Sequence, residues 1–305
     1  MNYKITIITP TFNRAHTLER VYRSILDQNF KNLKWLLMDD GSTDDTKELT
    51  DRLKSENKIP IDYVFKPNRR KYVTIMDGIF NYINTEYFII MDSDDAFFPN
   101  SIEIFYNEIE KIKDDKHLGS VCGNVVDSNG DFVGTKFPQS PLDCSVFEMR
   151  HKYNVKGGKL AIHQTSKFKQ LNYFPKEYEG KPYVPDDIWQ NIFDAHFKTR
   201  FINEIFKIYY LDLSDGSSLT SGRYKKKNAF GIMESYRTNL ETNQKYFFKF
   251  PLTLSKKMIG YIYYGLHTES SIAEMFSDIK GNVNKFLFVL MLIPAWIYKQ
   301  IKPLK

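Results

Sequence analysis

Asp92-Ser93-Asp94-Asp95 packs three carboxylates into four positions, a density that like-charge repulsion opposes unless water, a cation or a positive partner offsets it. Hard oxygen ligands of this kind suit Mg2+ or Mn2+. Such a cation bridges to a diphosphate and stabilises the charge that develops as a nucleotide leaves. A D-x-D triplet alone also arises from acidic turns and helix caps. This one gains weight by following Phe88-Ile89-Ile90-Met91, an apolar run that reads as a buried strand. Asp39-Asp40 ends another such run and precedes Gly41-Ser42-Thr43-Asp44. Either acid could take a base edge or ribose hydroxyls, while Ser42, Thr43 or Asp44 caps the helix that follows. Pro10-Thr11-Phe12-Asn13 forms a third polar cluster, again after an apolar run.

The elements that must position these clusters follow from periodicity. Residues 4–9, 35–38, 61–65 and 87–91 are short apolar runs rich in β-branched and aromatic side chains. Helical spacing fills 17–28, 46–55 and 72–83 between them. This alternation predicts β-α-β units and an open α/β sheet over the first hundred residues. Ligands of such sheets bind beyond the carboxyl ends of the strands, so three clusters far apart in sequence converge on one crevice. There is no G-x-G-x-x-G after the first strand and no P-loop, which argues against NAD chemistry and P-loop NTPases.

Further along, a helix is expected over 101–113, with Pro99 near its start. Residues 118–163 read as irregular and β-like, and Asn129-Gly130 signals a hairpin between Val125-Val126 and Phe132-Val133. A short helix over 188–196 and a strand over 206–211 follow. Beyond Gly222 the pattern turns helical, over 226–247, 254–268 and 271–279. The expected division is 1–222 as the catalytic part, with a nucleotide-binding half over 1–98 and an acceptor-binding half over 99–222. A helical extension then covers 223–305.

At 305 residues, with 42% apolar and 26% charged, the chain has the composition of a globular protein rather than a disordered one. The aromatic load of 24 Phe and 20 Tyr packs cores, and also serves sugar surfaces and membrane interfaces. The formal charge is +6, and Lys280, Lys285, Lys299, Lys302 and Lys305 follow Asp278 with no later acid. That asymmetry suits an anionic lipid surface. Residues 286–297 form an uncharged stretch too short to span a bilayer, with Trp296 and Tyr298 placed for the headgroup level. The expectation is an interfacial segment within 280–305; the alternative is a helix docked on the core or on a partner subunit. A nucleic-acid partner is not expected, because the basic residues form no aromatic-interleaved stripe in the catalytic part. The two cysteines, Cys122 and Cys144, form no metal-type pair and fit a reducing compartment, though one disulfide stays possible. The start of the sequence reads as a strand rather than a signal peptide, so a cytoplasmic setting is expected.

Ile7-Ile8-Thr9-Pro10-Thr11-Phe12-Asn13-Arg14, Met38 to Thr46 and Met91-Asp92-Ser93-Asp94-Asp95, in that order, resemble the successive motifs of family 2 glycosyltransferases of the GT-A fold, such as those that build bacterial surface polysaccharides. The likeness loosens towards Thr220 and is almost absent from the tail. It implies a mostly parallel central sheet flanked by helices and inverting transfer from a nucleotide sugar, often UDP-linked. By that likeness Pro10, Thr11, Phe12 and Asn13 line the nucleotide pocket and Asp40 contacts the base. Asp92, with Ser93 beside it, sits near the ribose, and Asp94 ligates the metal on the diphosphate. Capsule-type, lipopolysaccharide or teichoic-type glycans are the implied end products, and the basic tail points to a lipid-linked acceptor.

Inversion needs a carboxylate on the far side of the sugar carbon to accept the acceptor's proton. Asp186-Asp187, within Tyr183-Val184-Pro185-Asp186-Asp187-Ile188-Trp189, resembles the family's acidic pair at the acceptor-side helix. Asp187 is the favoured base and Asp186 the alternative, which otherwise caps the helix. Asp215-Gly216-Ser217-Ser218 resembles a late loop closing over the donor, and Arg223 or a neighbouring lysine would assist the diphosphate, unless this is only a solvated basic turn. His163 falls in the expected acceptor region. One block departs from related subgroups: Asn68-Arg69-Arg70-Lys71 stands where Asn-Gly-Gly-Lys is common, which alters the donor-sugar contacts. Lys71 or an arginine there can still hold phosphate oxygens. Rival readings are a sugar nucleotidyltransferase, which lacks its glycine-rich phosphate loop here, and a catalytically inactive glycan-binding or assembly protein. Oligomerisation of the chain with itself is left open.

Overall fold

The computed structural model describes residues 3–173, 176–211 and 225–304. The expected closing-loop residues Asp215, Ser217 and Arg223 lie outside the described residues. The chain divides into two compact units, Met1–Glu179 with Phe197–Asp212, and Gly180–His196 with Leu213–Lys305.

The strands are β1 (Ile5–Thr11), β2 (Leu33–Asp39), β3 (Ile61–Phe65), β4 (Tyr87–Ile90), β5 (Ala96–Phe97), β6 (Leu118–Asp127), β7 (Leu142–Cys144), β8 (Lys159–Gln164) and β9 (Lys198–Tyr209). In the first unit the α-helices are α1 (Ala15–Leu26), α2 (Thr46–Ser55), α3 (Lys71–Asp77), α4 (Ser101–Glu110), α5 (Val146–His151) and α6 (Thr165–Lys169). The second unit contains α7 (Asp187–His196), α8 (Ala229–Asn243), α9 (Pro251–Gly265), α10 (Ile272–Asp278) and α11 (Asn282–Ile301).

The first unit is an α/β layer of the GT-A type. Its sheet runs β3-β2-β1-β4-β8-β6-β9-β5, and β7 pairs with β9. β3, β2, β1 and β4 are parallel, which is the half that the β-α-β pattern predicts. The other half is mixed: β8 is antiparallel to β4 and β6, whereas β9 is parallel to β6. The mostly parallel sheet that the family likeness implies is therefore confined to the first half. Every residue of β1 is buried, as a central strand covered on both faces requires. Ile7, Val21, Trp35, Ile89 and Phe105 belong to the core on one face. Helix α3 continues as a π-helical turn over Gly78–Tyr82. Gly78 lets it lie close to the sheet, since a Cβ there would stand 2.3 Å from Ile8 Cδ1.

The predicted hairpin exists as a turn, with Gly130 at φ +88° and a single bridge between Val126 and Phe132. Strand β9 begins at Lys198 rather than near 206. Its first half, Lys198-Thr199-Arg200-Phe201-Ile202-Asn203, mixes polar and apolar residues, and that obscures the periodicity. Cys122 and Cys144 are both buried free thiols. In the second unit, α10 opens with a capping box between Ser271 and Glu274. α11 extends the expected twelve-residue segment to 20 residues with Pro294 inside it. Among the described residues, no helix is long and apolar enough to cross a membrane.

Candidate active site

The sheet brings the three polar clusters to adjacent strand ends. Thr11 at the end of β1 pairs with Asp39 at the end of β2, and Met91 N donates to Ile8 O at 2.9 Å, which carries 92–95 past the other edge of β1. The first two clusters are then stitched together. Asn13 N donates to Ser42 Oγ at 2.9 Å, and Thr43 N donates to Asn13 Oδ1 at 2.7 Å. Asn13 holds a left-handed backbone, φ +53°, which asparagine tolerates. Asp44 accepts from Ala15 N at the start of α1 and from Thr46 at the start of α2, so it serves both helix ends. Phe12 stays 45% exposed at the rim.

The paired acids of β2 do different work. Asp39 accepts from Ser42 N at 2.8 Å and from the Tyr63 hydroxyl at 2.6 Å. Asp40 accepts from Arg69 N and from Thr74 Oγ1, both at 2.7 Å, and so ties the 66–70 loop to β2. Burial pushes the Asp40 carboxyl up, and these hydrogen bonds oppose the shift. Gly41 permits the close fit, because a Cβ there would meet Asn68 N at 2.9 Å. Arg69 pairs with Glu179 at 2.8 Å. Arg70 adopts φ +77° and ψ 151°, a region that side chains disfavour.

The three carboxylates of the third cluster are not equivalent. Asp92 lies 2.8 Å from Lys71 Nζ and 3.4 Å from Lys207 Nζ, whereas Asp95 lies 2.5 Å from Lys207 Nζ. Tyr210 N also donates to Asp95 at 3.2 Å. Desolvation raises Asp92, but Lys71 and Lys207 outweigh it and hold the carboxyl well below the usual range. Burial pushes Asp95 up to about 6 despite Lys207, and the neighbouring Asp92 adds to the rise. Among the described residues Asp94 is the acid of the three with no lysine contact: its carboxylate is 39% exposed, with Arg14 4.0 Å away. Its backbone carbonyl accepts from Arg20, whose guanidinium lies 3.9 Å over the Tyr210 ring. Ser93 is buried beside it.

Much of the positive charge that the acidic triplet requires is thus supplied by lysines of the chain itself. Among the described residues, no group of three or more His, Cys, Asp or Glu forms a metal cage. One half-exposed carboxylate nevertheless fits Mg2+ or Mn2+, which take most remaining ligands from substrate phosphates and water. Lys207, Arg14 and Arg20 carry no role in the sequence reading. Lys207 was legible as a lone cation inside the apolar run Ile205-Phe206-Lys207-Ile208-Tyr209; Arg14 stands within the first motif; Arg20 gives no signal.

His163 does not lie at the strand ends. It is buried within β8, stacked on Phe88 with ring centroids 5.2 Å apart and with Phe168 at 6.1 Å. Burial lowers its pKa to about 3, so it is a neutral core residue rather than an acceptor contact. In the second unit, Asp186 immediately precedes α7 and Asp187 is its first residue. Asp187 accepts from Ser235 Oγ at 2.9 Å, and burial lowers the Lys257 ammonium against the attraction of Asp187.

A GT-A sheet with acidic clusters at neighbouring strand ends defines a protein of the nucleotide-sugar transferase class. The profile of glycosyl transferase family 2 matches residues 6–173, more than half of the chain, and the chain belongs to that family. An uncharacterized glycosyltransferase of Rickettsia conorii is 34% identical over 150 residues, a match covering 47% of this chain but only 24% of the relative. The GalNAc(5)-diNAcBac-PP-undecaprenol beta-1,3-glucosyltransferase of Campylobacter jejuni is 25% identical over 239 residues, 76% of this chain and 72% of the relative. Among solved structures, residues 1–349 of S. aureus TarS in complex with UDP-GlcNAc superpose with a TM-score of 0.60 at 15% identity, over 98% of this chain and 92% of that one. The mannosyltransferase PcManGT of Pyrobaculum calidifontis, in complex with GDP-Man and Mn2+, reaches 0.53 at 15% identity, over 99% and 88%. At such identities the structural likeness speaks for the fold alone.

Proposed function

We propose that the chain catalyses inverting, metal-dependent transfer of a sugar from a nucleotide sugar, UDP-linked by preference, to a glycan or lipid-linked acceptor of a bacterial surface polysaccharide. The observation that carries this reading is the junction of three polar strand ends at β2, β1 and β4, with Asp94 the one acid of its cluster that no lysine engages among the described residues. TarS is solved with UDP-GlcNAc, and the Campylobacter relative acts, by its name, on an undecaprenol-linked acceptor. Both support the donor and acceptor classes.

In this reading residues 1–222 are the catalytic part and 223–305 the extension. Pro10, Thr11, Phe12 and Asn13 flank the nucleotide, with the Phe12 ring exposed for contact. Asp39 and Asp40 hold the loops that shape the base pocket, and Asp92 and Ser93 border the ribose. Asp94 would hold the divalent cation, which when bound neutralises charge on the diphosphate. Arg14, 4.0 Å from Asp94, and Lys71, paired with Asp92, would assist the diphosphate, with Arg70 next to Lys71 in sequence as a further candidate. Asp187, or Asp186 beside it, accepts the proton of the acceptor hydroxyl, and the first turn of α7 attracts negative charge at that point. The enzyme would work on the cytoplasmic face of the cell membrane.

The test is binding and hydrolysis of UDP-, GDP-, CDP- and dTDP-sugars with Mn2+, Mg2+ or a chelator. Asp94→Ala should weaken metal-dependent donor binding. Asp187→Asn should retain donor binding and lose about 100- to 10,000-fold in turnover, the usual worth of a general base. Absence of saturable binding to every donor under every metal condition would overturn the proposal.

A further inference from the structure

The second unit ends in a helix with two unlike faces. α11 buries Asn284, Leu287, Phe288 and Ala295. Polar bonds fix it at both ends: Asn284 Nδ2 donates to Leu240 O at 3.2 Å, Lys299 Nζ to Leu266 O at 2.6 Å, and the Tyr263 hydroxyl to Lys302 O at 2.6 Å. The helix therefore presents its other side in a set orientation. That side carries Phe286, Val289, Leu290, Ile293, Trp296 and Ile301, between 49% and 76% exposed. Apart from the adjacent Val289 and Leu290 they recur every three to five residues, which draws one stripe along the helix. No charged residue interrupts it, and Lys285, Lys299 and Lys302 stand only towards its ends.

A stripe of this extent is more apolar surface than a water-facing helix carries without a function. We infer that it is a docking surface for an anionic lipid bilayer, in which α11 lies along the interface instead of crossing it. Three observations select that occupant. The polar ends are basic and residues 279–305 contain no acid, which complements anionic headgroups. Trp296 and Tyr298, 55% and 41% exposed, are the amphipathic aromatics that settle at headgroup level. A two-fold antiparallel pairing of α11 with its own copy would set the lysines of one end against those of the other, like charge on like. A second segment has the same character: Phe248 is 91% and Leu252 76% exposed, set among Lys245, Lys249 and Lys256.

The inference rests on the surface-polysaccharide reading only for its purpose, because bilayer binding is measured without donor or acceptor. The full chain is sedimented with vesicles of phosphatidylcholine alone and of phosphatidylcholine with phosphatidylglycerol, at low and high salt. Binding should require phosphatidylglycerol and weaken with salt. The double variant Val289→Asp/Ile293→Asp should abolish it, and Lys285→Gln/Lys302→Gln should weaken it about 30-fold, as two lysines near an anionic surface are each worth about fivefold. Circular dichroism and donor hydrolysis in solution should stay at wild-type values in both variants. No sedimentation with anionic vesicles, or binding indifferent to Val289→Asp/Ile293→Asp, overturns the inference. A dimer in analytical ultracentrifugation that Ile293→Asp dissociates, with no vesicle binding, assigns the stripe to a second copy instead.

Discussion

Lys207 Nζ lies 2.5 Å from Asp95 and 3.4 Å from Asp92, so one lysine from β9 holds two acids of the same strand-end cluster. The Lys207 side chain is 12% exposed and that of Asp95 only 1%. Both charges have left most of their water, which neither would do alone.

Removing Lys207 leaves Asp95 buried without its counter-charge. Lys207→Met should lower unfolding stability by about 3–5 kcal/mol, the usual cost of breaking a buried pair from one side. The double variant Lys207→Met/Asp95→Leu should recover much of that loss. Urea unfolding of the single and double variants decides between this pairing and a merely apolar role for the lysine stem.

Arg70 adopts a backbone that glycine takes without strain, φ +77° and ψ 151°. Relief of that strain is worth about 1–3 kcal/mol, and the extra chain entropy of glycine costs about 0.5–1. Arg70→Gly should therefore raise stability by about 1 kcal/mol in thermal or urea unfolding. If the guanidinium assists the diphosphate, the same variant raises KM for the donor. A stabler protein with a poorer donor KM would show what the strain is kept for.

Gly231 in α8 lies against the segment that leads into α7, since a Cβ there would stand 1.9 Å from Tyr183 O. Backbone cannot swing aside as a side chain does. Gly231→Ala should cost about 1–3 kcal/mol as an overpacking change. It should also displace Asp186 and Asp187, lowering kcat more than donor affinity. Equal kcat in the variant would separate that segment from the chemistry.

The buried His163 sets a pH dependence. Its folded pKa, about 3, lies below the unfolded value of 6.5, so the unfolded chain gains a proton that the folded one refuses. Stability from this group is complete above pH 6.5 and falls as pH drops towards 3. Between about pH 5.5 and 4 the slope should approach about 1.4 kcal/mol per pH unit. His163→Phe should flatten that slope, and urea unfolding at a series of pH values measures it.

The nucleotide half was legible because its signals are local. An apolar run followed within a few residues by Asp39-Asp40 or by Asp92 to Asp95 reports both a buried strand and what stands at its end. Parallel β-α-β connection then orders β3, β2, β1 and β4. Sequence alone also determined the uncharged stretch near residues 286–297 and the lysines around it. Tertiary structure decided what no window of sequence contains. Asp92, Asp94 and Asp95 look alike as residues, yet Lys207, 115 residues beyond Asp92, divides them by pairing with two and leaving the third to other partners. His163 read as a polar candidate until β4 and β6 closed over it, because burial is a property of neighbouring strands. Charge and polarity belong to the residue; the counter-charge and the water it keeps belong to the fold.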